Sequence, residues 1–289
     1  MSAAKSTFTV AADDAGLRLD QIIPRHVAGL SRRKARAVID LGGVFVDRAR
    51  VKVAGRVLRP GQIVEVVIGN VLERAGSGSA VALAPAIVHA DDHVIVVDKP
   101  AGLVTAPTPE SDRGDVLDQL GQKFGEVYLV HRIDRPTSGL LVFARTRAAN
   151  KALGDAFKIH DVDREYRAIA LGDVAAQTID REIAGKRAVT HVAPLEALAD
   201  ATLVSARLET GRTHQIRIHL AGLGHPIAGD REHGGERERL FRPHPPRLAL
   251  HAAILGFTHP GSGERVRFTS EWPADLAAFS AALRRTSSA

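Results

Sequence analysis

The sequence predicts an α+β protein: a small N-terminal module followed by a larger body on a large, mixed, mostly antiparallel sheet. Three observations point there. Short strand-like runs alternate with few helical ones after residue 86, the pattern of an α+β body. Residues 69–80, GNVLERAGSGSA, have the composition of a flexible linker. The charge also divides near that stretch. Residues 1–70 hold 12 Lys and Arg against 6 Asp and Glu, while the rest of the chain holds 27 of each sign. The predicted parts are a module at 1–70, a linker at 71–85 and the body at 86–289.

Each element of the module has a local cause. Ser31 stands where an N-cap belongs, ahead of RRKARAVID. Ala35, Val38 and Ile39 fall at i, i+3 and i+4 and make one apolar face. Gly42 and Gly43 end that helix. VFV (44–46) and VKV (51–53) alternate around DRAR and predict a hairpin. Pro60-Gly61 turns the chain into a last strand, QIVEVVI. Arg32, Arg33 and Lys34 occupy the first helical turn, where the helix dipole is already positive. An external phosphate would relieve that conflict, and Arg36 lies two positions further on.

In the body, residues 94–97 read as a strand ending at Asp98-Lys99-Pro100. GLLVFART (139–146) is apolar on both faces and so predicts a central strand. NKALGDAFK (150–158) predicts a short helix, and REYRAIALG (164–172) another strand. Residues 201–230 read as a strand, a Gly turn, and a strand passing into a helix or loop.

Composition removes several chemistries. With no Cys among 289 residues, disulfides, thiolate zinc sites and Cys nucleophiles are excluded. The N-terminal MSAAKSTFTVAADDAG lacks a signal peptide's apolar core, and no apolar run approaches a membrane span of roughly 18 residues. The expectation is a soluble, cytoplasmic chain with no membrane partner. The basic module suggests a polyanion, although basic surfaces have several uses.

Residues 131–139, HRIDRPTSG, set Asp134 between Arg132 and Arg135 at the mouth of the 139–146 strand. Taken as a strand, GRTHQIRIHL (211–220) sends Ile216, Ile218 and Leu220 to a core face and Gln215, Arg217 and His219 to the other. An Arg on a buried polar face needs an anion. Asp134 is the partner proposed, and an ordinary structural ion pair is the competing account. His214 and His219 would sit on opposite faces of such a strand, which argues against a shared metal ion. No H-E-x-x-H, Walker A or G-x-G-x-x-G pattern occurs, and Ser138 lies outside any G-x-S-x-G elbow. Thr137, Ser138 and Gly139 fit a turn that presents Asp134. Tyr166 shares its strand face with Arg164, Ala168 and Ala170. That small-residue floor leaves room for a planar ligand against the ring.

Two resemblances gather these residues. LRLDQII, LSRRKARAVIDLGGVFVD and VLRPGQIVEV resemble the S4 RNA-binding domain over about 50 residues. VDKPAGLVT, HRIDRPTSGLLVFART, REYRAIALG, LETGRTHQIRIHLAGLGHPIAGD and RLALHAAILGFTHPGSGERVRFTSEWPAD, in that order, resemble the RluA-type pseudouridine synthases that carry an N-terminal S4 domain. Together the resemblances run from about residue 17 to 280. They imply an S4-like domain followed by a pseudouridine synthase catalytic domain.

The resemblance further implies that Asp134 is the catalytic carboxylate, acting on ribose C1′ as nucleophile or through a glycal route. Arg217 pairs with it and keeps it ionised. Tyr166 lies on the base and takes part in removing the C5 proton. Arg132 takes the space of the flipped nucleotide, and flipping is required because the reacting atoms are unreachable in a stacked helix. Arg135, Arg212, His214 and Gln215 are the expected RNA contacts around it, with Arg32, Arg33, Lys34 and Arg36 those of the S4 domain. The partner implied is ribosomal RNA of the large subunit, bound by a monomer with no metal and no cofactor. Transfer RNA is the alternative substrate. A non-catalytic RNA-binding or ribosome-assembly protein is the alternative class, and its mark would be loss of Asp134 or Arg217. Three positions depart from the family pattern. GDREHGG has His233 where an aromatic residue is usual, Arg164 replaces a Lys, and Ile133 replaces a Leu.

Overall fold

The computed structural model describes residues 5–40, 42–51, 53–67, 83–107 and 114–286, without the side chains of 33, 37, 40, 285 and 286. They fall into two compact units, residues 5–67 and residues 83–107 with 114–286. The predicted linker at 69–80 lies outside the described residues.

In the first unit, β1 (Lys5–Thr9), α1 (Leu19–His26), α2 (Arg32–Asp40), β2 (Val44–Val46), β3 (Ala49–Arg50) and β4 (Ile63–Val67) follow in order. The strands form one sheet in the order β1-β4-β2-β3. Ser31 Oγ accepts the Lys34 N–H at 3.3 Å, as an N-cap does. Ala35, Val38 and Ile39 are fully buried, and they pack with Leu19, Ile22, Ile23, Val44 and Val64 into one core. The hairpin is tighter than the pattern suggested. Its second strand, Ala49–Arg50, begins ahead of the expected 51–53, of which residue 52 lies outside the described residues, because Asp47 and Arg48 both take positive φ (50° and 67°). A two-residue turn with both residues left-handed matches strand twist and closes the hairpin early.

Asp20 supplies an internal anion where the sequence points to an external one at α2. Its carboxylate is wholly buried. It lies 3.2 Å from Arg32 Nε and 3.8 Å from Arg36 Nε, with Arg18 Nε at 3.3 Å on its other oxygen. Part of the positive charge at this helix start is therefore answered within the fold.

The second unit contains β5 (Ala86–Ala90), β6 (Val94–Lys99), α3 (Val116–Phe124), β7 (Tyr128–Leu129), β8 (Ser138–Ala144), α4 (Arg147–Lys158), β9 (Asp163–Leu171) and β10 (Gln177–Asp180). It continues with β11 (Val189–Leu198), β12 (Ala201–Leu208), α5 (Gln215–Gly222), α6 (Gly235–Leu240), β13 (Leu250–Thr258), β14 (Arg265–Thr269) and α7 (Ala274–Thr286). Ten strands make one sheet with the path β10-β11-β12-β9-β13-β8-β6-β5, while β14 joins β13 and β7 joins β8. β8 and β13 run parallel, and the other pairings among the described residues are antiparallel. This is the mixed, mostly antiparallel sheet of the sequence reading.

β8 is buried at all seven positions. Leu140 and Val142 pack on one face with Val94 and Val96. Leu141 and Phe143 pack on the other with Ile95, Val97 and Ile133. An apolar run without alternation is what burial of both faces requires. α5 replaces the strand expected at 211–220. Ile216 and Leu220 are spaced i, i+4 and both buried, while Ile218 is partly exposed. A spacing of four satisfies both a two-residue and a 3.6-residue period, so alternation alone misassigned it.

The parallel β8–β13 pair fixes the mouth of β8. Gly139 has φ +115° and sits opposite Ala252. A Cβ there would lie 2.3 Å from the Ala252 carbonyl oxygen and 2.6 Å from its nitrogen. Substituting Gly139→Ala should therefore destabilise this unit by at least about 2 kcal/mol, from backbone strain and overlap together. Urea unfolding of the purified variant, followed by far-UV circular dichroism, checks this as a lowered midpoint with an unchanged slope.

Candidate active site

Asp134 lies in the loop between β7 and β8. Its carbonyl accepts the Thr137 N–H at 3.1 Å, so RPT folds as a tight turn. Ser138 Oγ is 2.9 Å from His251 Nδ1, tying the start of β8 to β13. A second loop, after β6, holds this turn from behind. Gly102 N–H donates to the Arg135 carbonyl at 2.7 Å, and Arg135 Nε returns a bond to the Gly102 carbonyl at 3.1 Å. Between the loops sits Lys99, fully buried. Its Nζ donates to the carbonyls of Leu103 (2.7 Å), Pro100 (3.0 Å) and Arg135 (3.3 Å). Burial pulls the Lys99 ammonium down to about 7, and the nearby Asp134 charge only partly offsets this. Lys99 thus clamps the backbone one residue beyond Asp134. Sequence reasoning passed over it, since a Lys at a strand end is by default a surface residue.

Arg217 reaches Asp134 from α5. Its Nη1 is 3.4 Å from Asp134 Oδ2, but this is the weakest of its contacts. Nε and Nη2 make a forked pair with Asp230 at 2.8 and 2.7 Å. Nη2 also meets Glu232 Oε2 at 3.0 Å. The sequence reading named Asp134 as the partner of Arg217. The principal partner is Asp230, whose side chain is fully buried. Burial opposes the charge on Arg217, and the hydrogen bonds and charge of Asp230 outweigh it, so the guanidinium is held above its ordinary value. Burial likewise pushes the Asp230 carboxyl up, but the Arg217 bonds and the His233 and Glu232 N–H groups bring it below the usual carboxylate range. A forked pair of this kind is rigid and directional. It presents one remaining N–H edge of Arg217 to Asp134.

Asp134, Tyr166 and Arg217 line one cleft of about 640 Å³, together with Arg132, Arg164 and His214. That volume is in the range, roughly 300–1,000 Å³, of clefts for small ligands. Tyr166 and Arg164 project from the same face of β9. Burial pushes the Tyr166 phenol up to about 12; Arg164 opposes this and Asp134 adds to it. The phenol is therefore protonated at neutral pH. Arg164 is 8% exposed, donates to the Glu209 carbonyl at 3.0 Å and lies over the Phe157 ring. Burial lowers the His131 imidazole to about 3, helped by the Arg164 charge, so this ring is neutral.

The remaining expected residues separate into groups. Arg132 is exposed on the cleft. Arg135 is exposed but anchored to Gly102 as above. Arg212 Nε is spent on the Arg187 carbonyl at 3.0 Å. His214 precedes α5 with φ +55° and bonds His233 through Nδ1 at 2.9 Å. Gln215 is corrected as an RNA contact. It is buried, its Oε1 takes Thr210 Oγ1 and the Arg212 N–H, and its Nε2 takes the Val189 carbonyl and Thr190 Oγ1. With those bonds made, Gln215 is a brace between α5 and β11. In the other unit, Lys34 is exposed, Arg32 and Arg36 lie on Asp20, and the Arg33 side chain is outside the described residues.

A lone carboxylate under a clamped guanidinium, an adjoining tyrosine and a separate basic unit together suit an enzyme that acts on one nucleotide of an RNA. Comparison with known proteins identifies which. The RNA pseudouridylate synthase family matches residues 93–222, and the S4 domain matches residues 17–64. A protein of Nitrosomonas europaea named ribosomal large subunit pseudouridine synthase D is 36% identical over 96% of this chain and 87% of its own length. Its namesake in Pseudomonas aeruginosa is 35% identical over 90% of each. Among solved structures, human RNA pseudouridylate synthase domain containing 1 has a TM-score of 0.54 at 26% identity, covering 66% of this chain and 84% of its own. Domain-containing 4 has the same TM-score at 22% identity, a likeness of fold alone. The chain belongs to the RNA pseudouridine synthase family, whose members are isomerases, and bears an S4 domain at its N-terminus.

The Arg217–Asp230 pair yields a stability prediction. Asp230→Asn leaves a buried guanidinium without its main counter-charge and should cost about 3–5 kcal/mol. The folded-state Asp230 carboxyl is depressed, so its contribution is present above the unfolded value near 3.9 and fades as pH falls below it. The gap in urea midpoints between wild type and Asp230→Asn should hold from pH 7 to about pH 5 and narrow, without closing, by pH 3.

Proposed function

We propose that this enzyme converts specific uridines of large-subunit ribosomal RNA to pseudouridine, with Asp134 as the reacting carboxylate. The observation that supports this best is Asp134 itself, one partly exposed carboxylate in the cleft, 3.4 Å from the edge of a guanidinium fixed elsewhere. Such an anion can act at ribose C1′ as nucleophile, or take a proton from the sugar on a glycal route. On either route the N1–C1′ bond breaks, the uracil turns, and C5 bonds to C1′. The C5 proton leaves and N1 gains one, so no atom is lost and no redox partner is required. Arg217 pairs with Asp134 at 3.4 Å and aims it. Tyr166 lies against the base. Being protonated at neutral pH, its hydroxyl can accept the C5 proton only while passing on its own. Arg132, exposed on the cleft, fits the space vacated when the uridine flips out.

In this reading residues 1–70 dock on RNA and residues 86–289 perform the isomerisation, as a monomer in the cytoplasm where ribosomal RNA is made. The names of the relatives favour ribosomal over transfer RNA. The presence of Asp134 and Arg217 in contact favours an enzyme over a silent RNA-binding relative.

Asp134→Asn is nearly isosteric and should abolish pseudouridine formation while RNA affinity stays within a few-fold. Tritium release from [5-³H]uridine-labelled RNA, with filter binding alongside, checks both. Pseudouridine mapping of ribosomal RNA from a strain lacking the gene should show loss at large-subunit positions, restored by wild type and not by Asp134→Asn. Loss confined to transfer RNA would move the substrate.

The charges of α2 should separate by partner. Lys34→Gln should weaken RNA binding and flatten its dependence on log salt by about 0.7 on single strands, with the fold intact. Arg32→Gln should also lower the melting temperature, because it strips a partner from the buried Asp20 carboxylate. Salt-series binding and thermal unfolding of both variants distinguish the two.

A further inference from the structure

We propose that His214, His233 and Glu232 form a site for a divalent transition metal of the zinc type at the rim of the cleft, and that metal bound there restrains Asp134 and inhibits turnover. The binding half stands on geometry; the inhibitory half rests on the reading of Asp134 above. Three donor atoms converge. His214 Nδ1 is 2.9 Å from His233 Nε2 and 3.6 Å from Glu232 Oε1, and the latter two are 3.9 Å apart. Ligands about 2.0–2.2 Å from a tetrahedral zinc ion are separated by roughly 3.3–3.5 Å. The observed triangle brackets that edge, so shifts of about half an ångström would close it, leaving the fourth position to water.

The surrounding bonds suit the role. Arg217 takes Glu232 Oε2 and leaves Oε1 turned to the histidines. His214 Nε2 faces Asp134 Oδ2 at 3.8 Å. A carboxylate there favours the proton on Nε2 and the lone pair on Nδ1, the arrangement that orients metal-ligating imidazoles. Asp230 Oδ1 accepts the His233 and Glu232 N–H groups and sets the loop that bears both side chains. Glu232 is well exposed, so metal has access.

A second group, His89, Asp91 and His259, has similar closeness and the wrong tautomer. His259 Nδ1 accepts the Gly261 and Ser262 N–H groups at 3.2 and 3.1 Å. Its Nε2 must therefore carry a proton, donated to Asp91 at 3.0 Å, and a metal would have to break that set. In the rim group a single proton lies between His214 Nδ1 and His233 Nε2, and displacing it is all that metal binding requires of the two rings. Metal on His214 Nδ1 would leave Nε2–H charged and aimed at Asp134, drawing the carboxylate toward α5 and away from a ribose.

The test uses full-length, untagged, metal-free protein titrated with Co²⁺ and then Zn²⁺. The expected result is one Co²⁺ per chain at micromolar concentration, with tetrahedral d–d absorption that Zn²⁺ displaces, and inhibition of tritium release by Zn²⁺ over the same range. His233→Phe and Glu232→Gln should each weaken Co²⁺ binding at least about tenfold, and turnover by His233→Phe should cease to respond to Zn²⁺. Asp134→Asn should still take up Co²⁺, which separates this site from the assignment of Asp134. Absence of saturable uptake, or equal uptake by wild type and both variants, would overturn the site. Uptake that leaves wild-type turnover unchanged would overturn the inhibition.

Discussion

The buried guanidinium of Arg217 is the constraint on which the site depends. It has three acidic neighbours, and their strengths are unequal. Asp230 holds two of its nitrogens at 2.8 and 2.7 Å, Glu232 shares one of these at 3.0 Å, and Asp134 meets the last at 3.4 Å. The first pair satisfies burial and fixes the plane of the group. The residual charge is then spent on a carboxylate that is still partly open to the cleft. If Asp134 were the main partner, its oxygens would be occupied, and the proposed reaction at Asp134 would have to break a strong buried pair. With Asp230 in that place, Asp134 is oriented without being consumed.

The backbone beneath Asp134 is held with equal care. Lys99 joins three carbonyls from two loops, and Gly139 lets β8 press against β13 where no side chain would fit. These devices act at the middle and at the end of HRIDRPTSG, so the carboxylate is set from its own loop as well as from α5. Preorganisation of this kind is where enzymes gain rate, since a misplacement of about 1 Å can cost on the order of a hundredfold. The S4 unit shows the same economy: Asp20 balances Arg32 and Arg36 within the fold, while Lys34 stays exposed.

Much of this was legible in the sequence, for physical reasons that can be named. β8 has an apolar run with no alternation, which only a central strand explains. α2 has a cap, an i, i+3, i+4 face and a terminal Gly pair. HRIDRPTSG, REYRAIALG and GRTHQIRIH carry a resemblance specific enough to group Asp134, Tyr166 and Arg217 from sequence. What failed did so where two patterns coincide or where no pattern exists. Ile216 and Leu220 satisfy strand and helix periods alike, so the pattern of α5 does not separate helix from strand. Asp230 sits in a loop, and a buried carboxylate in a loop has no periodic mark. Gln215 was assigned to RNA by its motif, although its amide is fully used inside. Lys99 is a buried lysine, a case that composition rules predict against.

The central claim is that Arg217 serves through the shape of its guanidinium, which bridges Asp230 and Asp134 at once. The most direct measurement is the single-turnover rate of Arg217→Lys on saturating RNA, with RNA affinity measured separately. A lysine retains the charge but cannot span both carboxylates. The account predicts a rate lower by on the order of a hundredfold, with RNA affinity within a few-fold of wild type. A wild-type rate from this variant would show that a point charge suffices and would contradict the account.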